Sequence, residues 1–476
     1  MIQSLIHTTE NKNSYIYDDQ HRLSMLIHPE FIKTQENSKD VNPYYLKKYK
    51  YLNKNGFFSN STAVDFATIT ENMVKDSIIN TDQIVFEVTD SCNLSCTYCG
   101  LGEFYDGYDI RNGNLLNIRY AKILLKYIFD LKLKNNNNKI AIGFYGGEPL
   151  LNIKVIKQII AFVNKLNAKK EMRVIYSMTT NATLIHKHID FLAANKFRLL
   201  ISLDGNEENH SYRVFNKNKE NSFQKVINNI DIIQKSYTKY FDTHVSFNAV
   251  LHNRNSVKNI YEFIYTRYRK VPIISELKRR NVKSEKKNII EKLYHSRRIS
   301  ETEYQKEESI QIPISHPESS VFKELGDFLT HFSINYYLYT IVSLLFIEVK
   351  YFPTSTCFPF SKRMFLTAGN KLLPCEQIDF KFVLGKIEKK IMIDIPAITQ
   401  RYNWYYDHLG KVCSNCYSYK FCGICLFQIN NIDKLDIEEF ICNRFCDQKS
   451  FREKMYRIFS FMEKFPNTIF QIIENE

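Results

Sequence analysis

From residue 84 onward, short runs rich in β-branched residues alternate with longer amphipathic segments, and this alternation restricts the possible folds more than any other feature. It is typical of repeated βαβ units, in which helices cover a parallel sheet. We predict strands at Ile84–Val88, Ile140–Phe144, Arg173–Ser177, Leu199–Leu203, His244–Val250 and Pro272–Ser275. Helices are predicted between them, at Ala121–Leu133, Ile153–Asn167, Lys187–Asn195, Phe223–Gln234 and Val257–Tyr265. The predicted class is α/β, with a partial (β/α)6 TIM-like barrel at its centre.

A chain of 476 residues is long enough for about three structural units. We predict a small N-terminal α/β unit at 1–80, made of a hairpin around 14–27 and a helix near 44–52. The barrel follows at 81–276, a charged helical connector at 277–350 and a cysteine-rich unit at 351–476. With 44% hydrophobic residues and only 14 Gly and 11 Pro, disordered, collagenous and low-complexity classes are excluded.

The net charge of +14 allows an anionic partner, but the basic residues are dispersed among acidic ones, which is typical of a solvated surface. We therefore predict no nucleic-acid partner. The N-terminal sequence lacks the basic-then-apolar run of a secretory signal, and the most apolar stretch, 334–352, contains charged residues. A cytoplasmic protein without a membrane partner is the expectation. In that reducing compartment, clustered cysteines are metal ligands rather than disulfide partners.

Polar and glycine residues follow the predicted strands. They are found at 89–92, 146–148, 179–181, 204–205 and 252–253. In parallel barrels the catalytic face lies at the carboxyl ends of the strands. We therefore expect these five loops to surround a single site.

The first of these loops carries three cysteines, Cys92, Cys96 and Cys99, and the next cysteine is Cys357. A closed structural zinc site needs four ligands. Three thiolates on a [4Fe–4S] cluster would instead leave one iron without a protein ligand and free to bind a small molecule. The alternative is a three-cysteine zinc or redox site.

The spacing of Cys92, Cys96 and Cys99, on the loop after the first strand of a βα repeat, resembles the radical S-adenosylmethionine superfamily. The resemblance implies that S-adenosylmethionine chelates the open iron through its amino and carboxylate groups. It also implies that an electron from the cluster cleaves the sulfonium to a 5′-deoxyadenosyl radical, which abstracts hydrogen from the substrate. A reducing electron donor of the flavodoxin or ferredoxin type is implied as a partner.

Gly146, Gly147 and Glu148 follow the second predicted strand. Glycines allow close approach of the backbone to a ligand, and the carboxylate is a hydrogen-bond acceptor. By itself, this sequence is equally typical of an ordinary strand-to-helix turn. At this distance from the cysteines it resembles the family motif that holds the methionine amino group, a role we expect for Glu148 in preference to helix capping.

Four further residues resemble cofactor-binding positions of the family. Asn181 and Ser202 match positions near the ribose and methionine moieties, and Arg213 is a candidate partner of the methionine carboxylate. Loop capping or surface charge is the alternative for these three. Tyr98 resembles the aromatic position whose main chain lies near adenine, and its ring is also compatible with simple packing.

A second group of eight cysteines lies in the C-terminal unit, and eight thiols suit two four-cysteine sites. They are Cys357, Cys375, Cys413, Cys416, Cys422, Cys425, Cys442 and Cys446. Their pattern resembles the SPASM domain, which implies two auxiliary [4Fe–4S] clusters. Carried over by position, Cys357, Cys375 and Cys425 with Cys446 serve the cluster nearer the active site, and Cys413, Cys416, Cys422 and Cys442 serve the outer cluster. The spacing before Cys425 is one residue shorter than the family's, and two zinc sites are the alternative.

The stretches 86–92, 201–205 and 209–213 are most similar to maturases of ribosomally synthesised peptides, including those of Gly-Gly leader systems in Bacteroidales. The expected function is hydrogen abstraction from a precursor peptide, giving a thioether or carbon cross-link or an epimerised residue. The N-terminal unit then serves as a leader-recognition element, or as a generic cap. The alternatives are oxidation of Cys or Ser in a sulfatase and, from another class, a zinc-dependent nucleic-acid-binding module.

Overall fold

The computed structural model describes residues 4–34, 40–58, 64–169, 171–305, 320–329, 351–435, 440 and 442–467. These residues form two compact units. The larger unit draws on 69–311 and 357–400, and the smaller unit on 1–68, 312–356 and 401–476. The division into four segments by role stays a prediction.

The strands are numbered in chain order. They are β1 Leu5–Thr8, β2 Ser14–Asp18, β3 Leu23–Ile27, β4 Gln83–Thr89, β5 Lys139–Gly146, β6 Arg173–Thr180, β7 Arg198–Ser202, β8 Val245–Leu251, β9 Ile273–Glu276, β10 Arg363–Leu366, β11 Lys371–Leu373, β12 Gly385–Ile387 and β13 Ile391–Ile393.

The α-helices are numbered in the same way. They are α1 Pro29–Lys33, α2 Pro43–Lys54, α3 Glu71–Ile79, α4 Ile118–Lys134, α5 Ile153–Leu166, α6 Ile189–Ala194, α7 Phe223–Ser236, α8 Thr238–His244, α9 Val257–Tyr268, α10 Lys287–Leu293, α11 Arg297–Gln305, α12 Ser320–Asp327, α13 Ile395–Cys413 and α14 Gln448–Lys464.

The six predicted strands are present as β4 to β9, which are parallel and adjacent in chain order. The prediction of a parallel α/β sheet is confirmed. One cavity of about 470 Å3 is lined by residues from all six strands, so the sheet curves around it as a partial barrel does. Within the described ranges the sheet is not closed, because β9 is one edge and β4 pairs with β10, which leads into the antiparallel strands β11 to β13.

Helix periodicity explains how the sheet is covered. In α5 the buried side chains are Ile156, Ile159, Ile160 and Val163, whose spacing of three and four residues places them on one face. Burying each such side chain stabilises the fold by about 1.5–3 kcal/mol. On β5, the alternate side chains Ile140, Ile142 and Phe144 are also buried.

The smaller unit contains the antiparallel sheet β1-β2-β3. The predicted hairpin is confirmed as β2 and β3, and β1 is an additional strand that the sequence analysis did not identify. Helix α2 begins after Asn42, whose side chain accepts a hydrogen bond from the amide of Tyr44. Helix α14 packs on β1, where Phe459 contacts the rings of His7 and Tyr15.

The predicted connector is described only in part, by α10, α11 and α12. Most of the predicted buried helix at 334–352 lies outside the described residues. No helix in the part of the chain that the structure describes is both long enough and apolar enough to cross a membrane.

Candidate active site

The cysteine loop lies against the loop that follows β5. The amide of Gly147 donates to the carbonyl of Thr89 at 3.0 Å, and the amide of Glu148 donates to the carbonyl of Ser91 at 2.9 Å. These two hydrogen bonds place the start of the cysteine loop directly beside the Gly146-Gly147-Glu148 segment.

Both glycines are required by this close approach. Gly146 has φ +130°, and a Cβ there would lie 2.1 Å from the carbonyl oxygen of Thr89. A Cβ on Gly147 would lie 1.9 Å from the carbonyl oxygen of Ser91. Any side chain at Gly147 would therefore displace the cysteine loop.

The segment 212–216 fixes the cysteine loop from another side. The amides of Ser95 and Thr97 donate to the carbonyls of Val214 and Tyr212 at 2.7 and 3.2 Å. The side chain of Asn216 donates to the carbonyl of Cys92 at 2.6 Å. The loop therefore has a defined conformation set by main-chain hydrogen bonds.

The donor set of this loop fits an iron–sulfur cluster. Burial raises the pKa of Cys92 to about 11 and that of Cys96 to about 12, and Cys99 adds to both shifts. Thiols that bind a metal must be deprotonated. The positive charge of the bound iron would stabilise the buried thiolates, which the protein alone does not. Cys92, Cys96 and Cys99 would hold the cluster.

Glu148 is fully buried and accepts three hydrogen bonds. The donors are the amide of Leu150 at 3.1 Å, the hydroxyl of Thr180 at 2.8 Å and the amide of Asn181 at 2.8 Å. Burial raises its pKa to about 7, although these hydrogen bonds act in the opposite direction. Glu148 thus caps the turn Pro149–Asn152 and joins the ends of β5 and β6. Its contact with the methionine amino group stays a prediction.

Asn181 lies between Glu148 and the cysteine loop. Its side-chain amide donates to Asn93 Oδ1 at 3.0 Å and to Cys92 Sγ at 3.8 Å. The structure therefore brings Glu148, Asn181 and Cys92 together. Ser202, the last residue of β7, is half-buried beside Asn248 on β8.

Tyr98 and Arg213 meet at Asp204, a residue that the sequence analysis did not include in the site. Arg213 donates to both carboxylate oxygens of Asp204, from Nε at 2.8 Å and Nη2 at 3.0 Å, and the hydroxyl of Tyr98 also donates to Asp204. Burial alone would raise the pKa of Asp204, but Arg213 outweighs it and lowers the pKa to about 2.

This network ties the cysteine loop to β7 and β8. Tyr98 lies between Cys96 and Cys99, and the amide of Val250 on β8 donates to Asp204 at 2.9 Å. The ring of His252 stacks on Tyr98 with centroids 5.4 Å apart. Arg213 thus has a partner inside the protein, and its pairing with the methionine carboxylate stays a prediction.

The barrel cavity was not predicted, although small residues on neighbouring strands indicate it. Gly143, Ser177 and Ser246 line the cavity, and the side-chain amide of Gln83 donates to the hydroxyl of Ser177 at 3.1 Å. Tyr145, another lining residue, directly precedes Gly146. The lining ends one or two residues before the strand ends, at Tyr145, Thr179 and Leu200, and continues to the strand starts at Gln83 and Arg198, so the cavity lies inside the sheet below the Gly146-Gly147-Glu148 segment.

Charged residues also line the cavity. Arg363, the first residue of β10, forms an ion pair there with Glu376. Glu376 follows Cys375 directly, and its side chain is 9% exposed. In the larger unit, Cys357 and Cys375 both raise the pKa of Arg363, as Glu376 does, against the opposing effect of burial. These two cysteines therefore both lie near Arg363.

The remaining C-terminal cysteines lie in the smaller unit. Burial raises the pKa of Cys413, and Cys422, Cys416 and Cys442 raise it further, so these four thiols are neighbours. The amide of Cys446 donates to Cys416 Sγ at 3.3 Å. Among the described residues, no three His, Cys, Asp or Glu side chains are placed to hold a metal ion. The division of the eight cysteines between two clusters stays a prediction.

Comparison with known proteins agrees with this geometry. The family model described as Radical SAM superfamily matches residues 86–264. The cysteine-type anaerobic sulfatase-maturating enzyme of Clostridium novyi (strain NT) is 31% identical over 183 residues, which are 38% of this chain and 46% of that protein. The radical SAM cyclopropyl synthase TigE of Paramaledivibacter caminithermalis is 24% identical over 171 residues, or 34% of each chain.

The chain spans about half the length, or less, of these curated relatives. A solved structure titled native anSMEcpe with bound AdoMet shares the fold, with a TM-score of 0.52 and 17% identity over 82% of this chain and 99% of that one. Residues 86–264, with the three-cysteine loop at the carboxyl end of β4, therefore match the radical SAM superfamily, whose members use S-adenosylmethionine and a [4Fe–4S] cluster.

Proposed function

We propose that the protein is a peptide maturase that abstracts a hydrogen atom from a ribosomally synthesised precursor peptide. The observation that supports this most is the position of the cysteine loop, which is held at the carboxyl ends of the barrel strands, above a cavity of about 470 Å3 inside the sheet, a volume in the range of ligand pockets. When bound, the cluster and S-adenosylmethionine supply the radical. The protein's own residues orient the substrate carbon and exclude water around it.

The lining of the barrel interior is mixed, with charged, polar and apolar groups. Gln83, Ser177 and Thr179 offer neutral hydrogen-bonding groups, while Val85 and Leu200 offer apolar contacts. Peptide groups and mixed side chains need both kinds of contact, because a buried amide without a hydrogen bond is costly. The proposed product is a thioether or carbon cross-link, with epimerisation as the close competitor.

The smaller unit supports recognition of a leader peptide. In the described residues β3 is an edge of its sheet, and its Leu26 side chain is 59% exposed. An extended peptide adds to such an edge through main-chain hydrogen bonds. The neighbouring helix α2 has four lysines and no acidic residue, and its Tyr44 and Tyr51 are 65% and 68% exposed. Its charge favours an acidic leader.

Oxidation of Cys or Ser in a sulfatase is the second candidate, and the similarity to the Clostridium novyi sulfatase-maturating enzyme favours it. The eight C-terminal cysteines, two auxiliary [4Fe–4S] clusters and a flavodoxin or ferredoxin donor suit both candidates. A cytoplasmic location stays a prediction. The zinc-dependent nucleic-acid module is set aside, because the match to the radical SAM superfamily accounts for the three-cysteine loop.

The test supplies the anaerobic enzyme with S-adenosylmethionine, a chemical reductant and one of two peptides. The first is the product of a short open reading frame beside the gene, and the second is a sulfatase-derived peptide with a central Cys. We expect the first to lose two hydrogen atoms by mass spectrometry, or to gain solvent deuterium on epimerisation. Conversion of the second peptide alone, to an aldehyde, would reject the precursor-peptide proposal in favour of the second candidate.

A further inference from the structure

The turn between β2 and β3 contains a buried carboxylate whose partners lie far away in the sequence. Asp19 is 2% exposed, and its Oδ1 lies 2.5 Å from the ammonium of Lys420. The hydroxyl of Tyr419 donates to its Oδ2 at 3.1 Å, and the hydroxyl of Tyr17 donates to its Oδ1 at 2.9 Å. Two of these three partners thus come from the C-terminal region of the smaller unit.

The neighbouring Asp18 is equally buried, and its hydrogen-bond partners among the described residues come from the N-terminal segment. It accepts hydrogen bonds from the amide and the ring of His21, at 3.3 and 3.0 Å, and from the amide of Phe58 at 2.8 Å. Asp18 therefore holds the N-terminal segment together, whereas Asp19 connects it to another part of the unit.

Tyr419 and Lys420 lie inside the loop between Cys416 and Cys422. Within that loop, the amide of Tyr419 donates to the carbonyl of Cys416 at 3.1 Å. The carbonyl of Cys422 accepts from the amide of Ser355 at 3.0 Å. The side chains of Tyr419 and Lys420 contact Asp19. The turn between β2 and β3 therefore fixes two adjacent residues of the loop.

A second contact between the same regions is apolar. Phe451 on α14 packs against Tyr17 of β2 and against Tyr417, with ring centroids 5.1 Å apart in each case. The amide of Tyr417 donates to the carbonyl of Cys446 at 2.9 Å. Two groups of contacts thus connect the β2–β3 region with the residues that follow Cys416. One is polar, through Asp19, and the other is apolar, through Tyr17 and Phe451.

We propose that Asp19 is a positioning residue for the Cys416–Cys422 loop, and that the N-terminal sheet is a structural part of the C-terminal cysteine module. The proposal rests on the proposed function only where it takes Cys416 and Cys422 as metal ligands. A buried lysine and a buried aspartate need each other, because removal of one leaves the other charge buried without a partner. The fixed Asp19 carboxylate therefore determines where the loop, and with it both thiols, can lie.

The test compares full-length Asp19→Asn with the matched variant Asp18→Asn. Each holoenzyme is treated anaerobically with a chelator and iodoacetamide, and alkylation of Cys416 and Cys422 is followed by mass spectrometry against Cys92 as internal reference. We expect Asp19→Asn to raise the alkylation rate of Cys416 and Cys422 at least about tenfold, with a smaller change in Asp18→Asn. Wild-type rates in Asp19→Asn, or equal rates in the two variants, would overturn the proposal.

Tyr419→Phe keeps the test decisive if Asp19→Asn does not fold, because it removes one hydrogen bond without leaving an unpaired charge. We expect about a threefold to tenfold faster alkylation of Cys422, and an unchanged rate would overturn the proposal. Formation of 5′-deoxyadenosine, measured in the same samples, should stay at the wild-type level. The alkylation rate reports protection of the thiols whether they bind iron or zinc. The result for Asp19 therefore does not depend on whether the proposed function is correct.

Discussion

At the scale of single residues, the site depends on buried carboxylates with several donors each. Glu148 joins the ends of β5 and β6 through Thr180 and Asn181, and Asp204 joins the cysteine loop to β7 and β8 through Tyr98 and Val250. A carboxylate accepts hydrogen bonds on two oxygens at once, which an amide cannot do. Replacing either with its amide therefore leaves a buried donor facing another donor.

Glu148→Gln should lower the free energy of unfolding by about 1–3 kcal/mol, the cost of an unsatisfied buried group, and weaken S-adenosylmethionine binding by about 1.5–3 kcal/mol. Chemical denaturation and equilibrium dialysis give the two values. Thr180→Val is the control, since it removes one donor to Glu148 and leaves the carboxylate in place. An unchanged dissociation constant in Glu148→Gln would show that the residue has only a structural role.

Asp204 makes the stability depend on acid pH. Its pKa is lowered from 3.8 to about 2 in the folded protein, so its contribution is complete above pH 4 and is lost as the pH falls towards 2. The contribution amounts to about 2 kcal/mol. The difference in unfolding free energy between wild type and Asp204→Asn should therefore shrink over this range in acid titrations. A constant difference would show that Arg213 does not control the charge of Asp204.

At the scale of elements, the strand-to-loop junction after β5 sets the position of the cysteine loop. Two glycines permit the contact, and two main-chain hydrogen bonds maintain it. The consequence is that the barrel sheet, and not the loop sequence alone, determines where the three thiols lie.

Gly147→Ala should prevent assembly of the cluster at Cys92, Cys96 and Cys99, because its Cβ would meet the carbonyl of Ser91 at 1.9 Å. Gly100→Ala is the matched control next to Cys99, where a Cβ would meet nothing within 4 Å. Iron analysis and thermal unfolding of both variants check the prediction. Equal iron content in the two would mean that the loop can move away without losing its ligands.

Local periodicity was sufficient to predict β4 to β9 and five of the helices between them, but not the short helix α8, Thr238–His244. The strands β10 to β13 were missed because they are three or four residues long and their position depends on pairing with a distant strand, as in Arg363 beside Gln83. The three cysteines were found from their spacing. The pairing of Arg213 with Asp204 could not be predicted from the sequence, because the partner of a charged side chain depends on how the chain folds.

At the scale of the whole molecule, the chain combines a segment that matches the radical SAM superfamily with a unit built from both ends of the described chain. Residues 1–68 and 401–476 belong to the same compact unit, so the sequence order of the segments differs from their grouping in space. If the proposed leader site is correct, a precursor peptide binds to the unit that also contains Cys413, Cys416, Cys422 and Cys442. This arrangement is the reason why truncation of the N-terminal segment is a poor test of leader binding.

The central claim is that Cys92, Cys96 and Cys99 hold the cluster with which S-adenosylmethionine is cleaved. The most direct measurement is 5′-deoxyadenosine formation by the reduced enzyme in which all three cysteines are replaced by Ala, together with its iron content. We predict that the triple variant forms no 5′-deoxyadenosine above background and retains the iron bound by the C-terminal cysteines. Cleavage of S-adenosylmethionine at the wild-type rate by the triple variant would contradict the account.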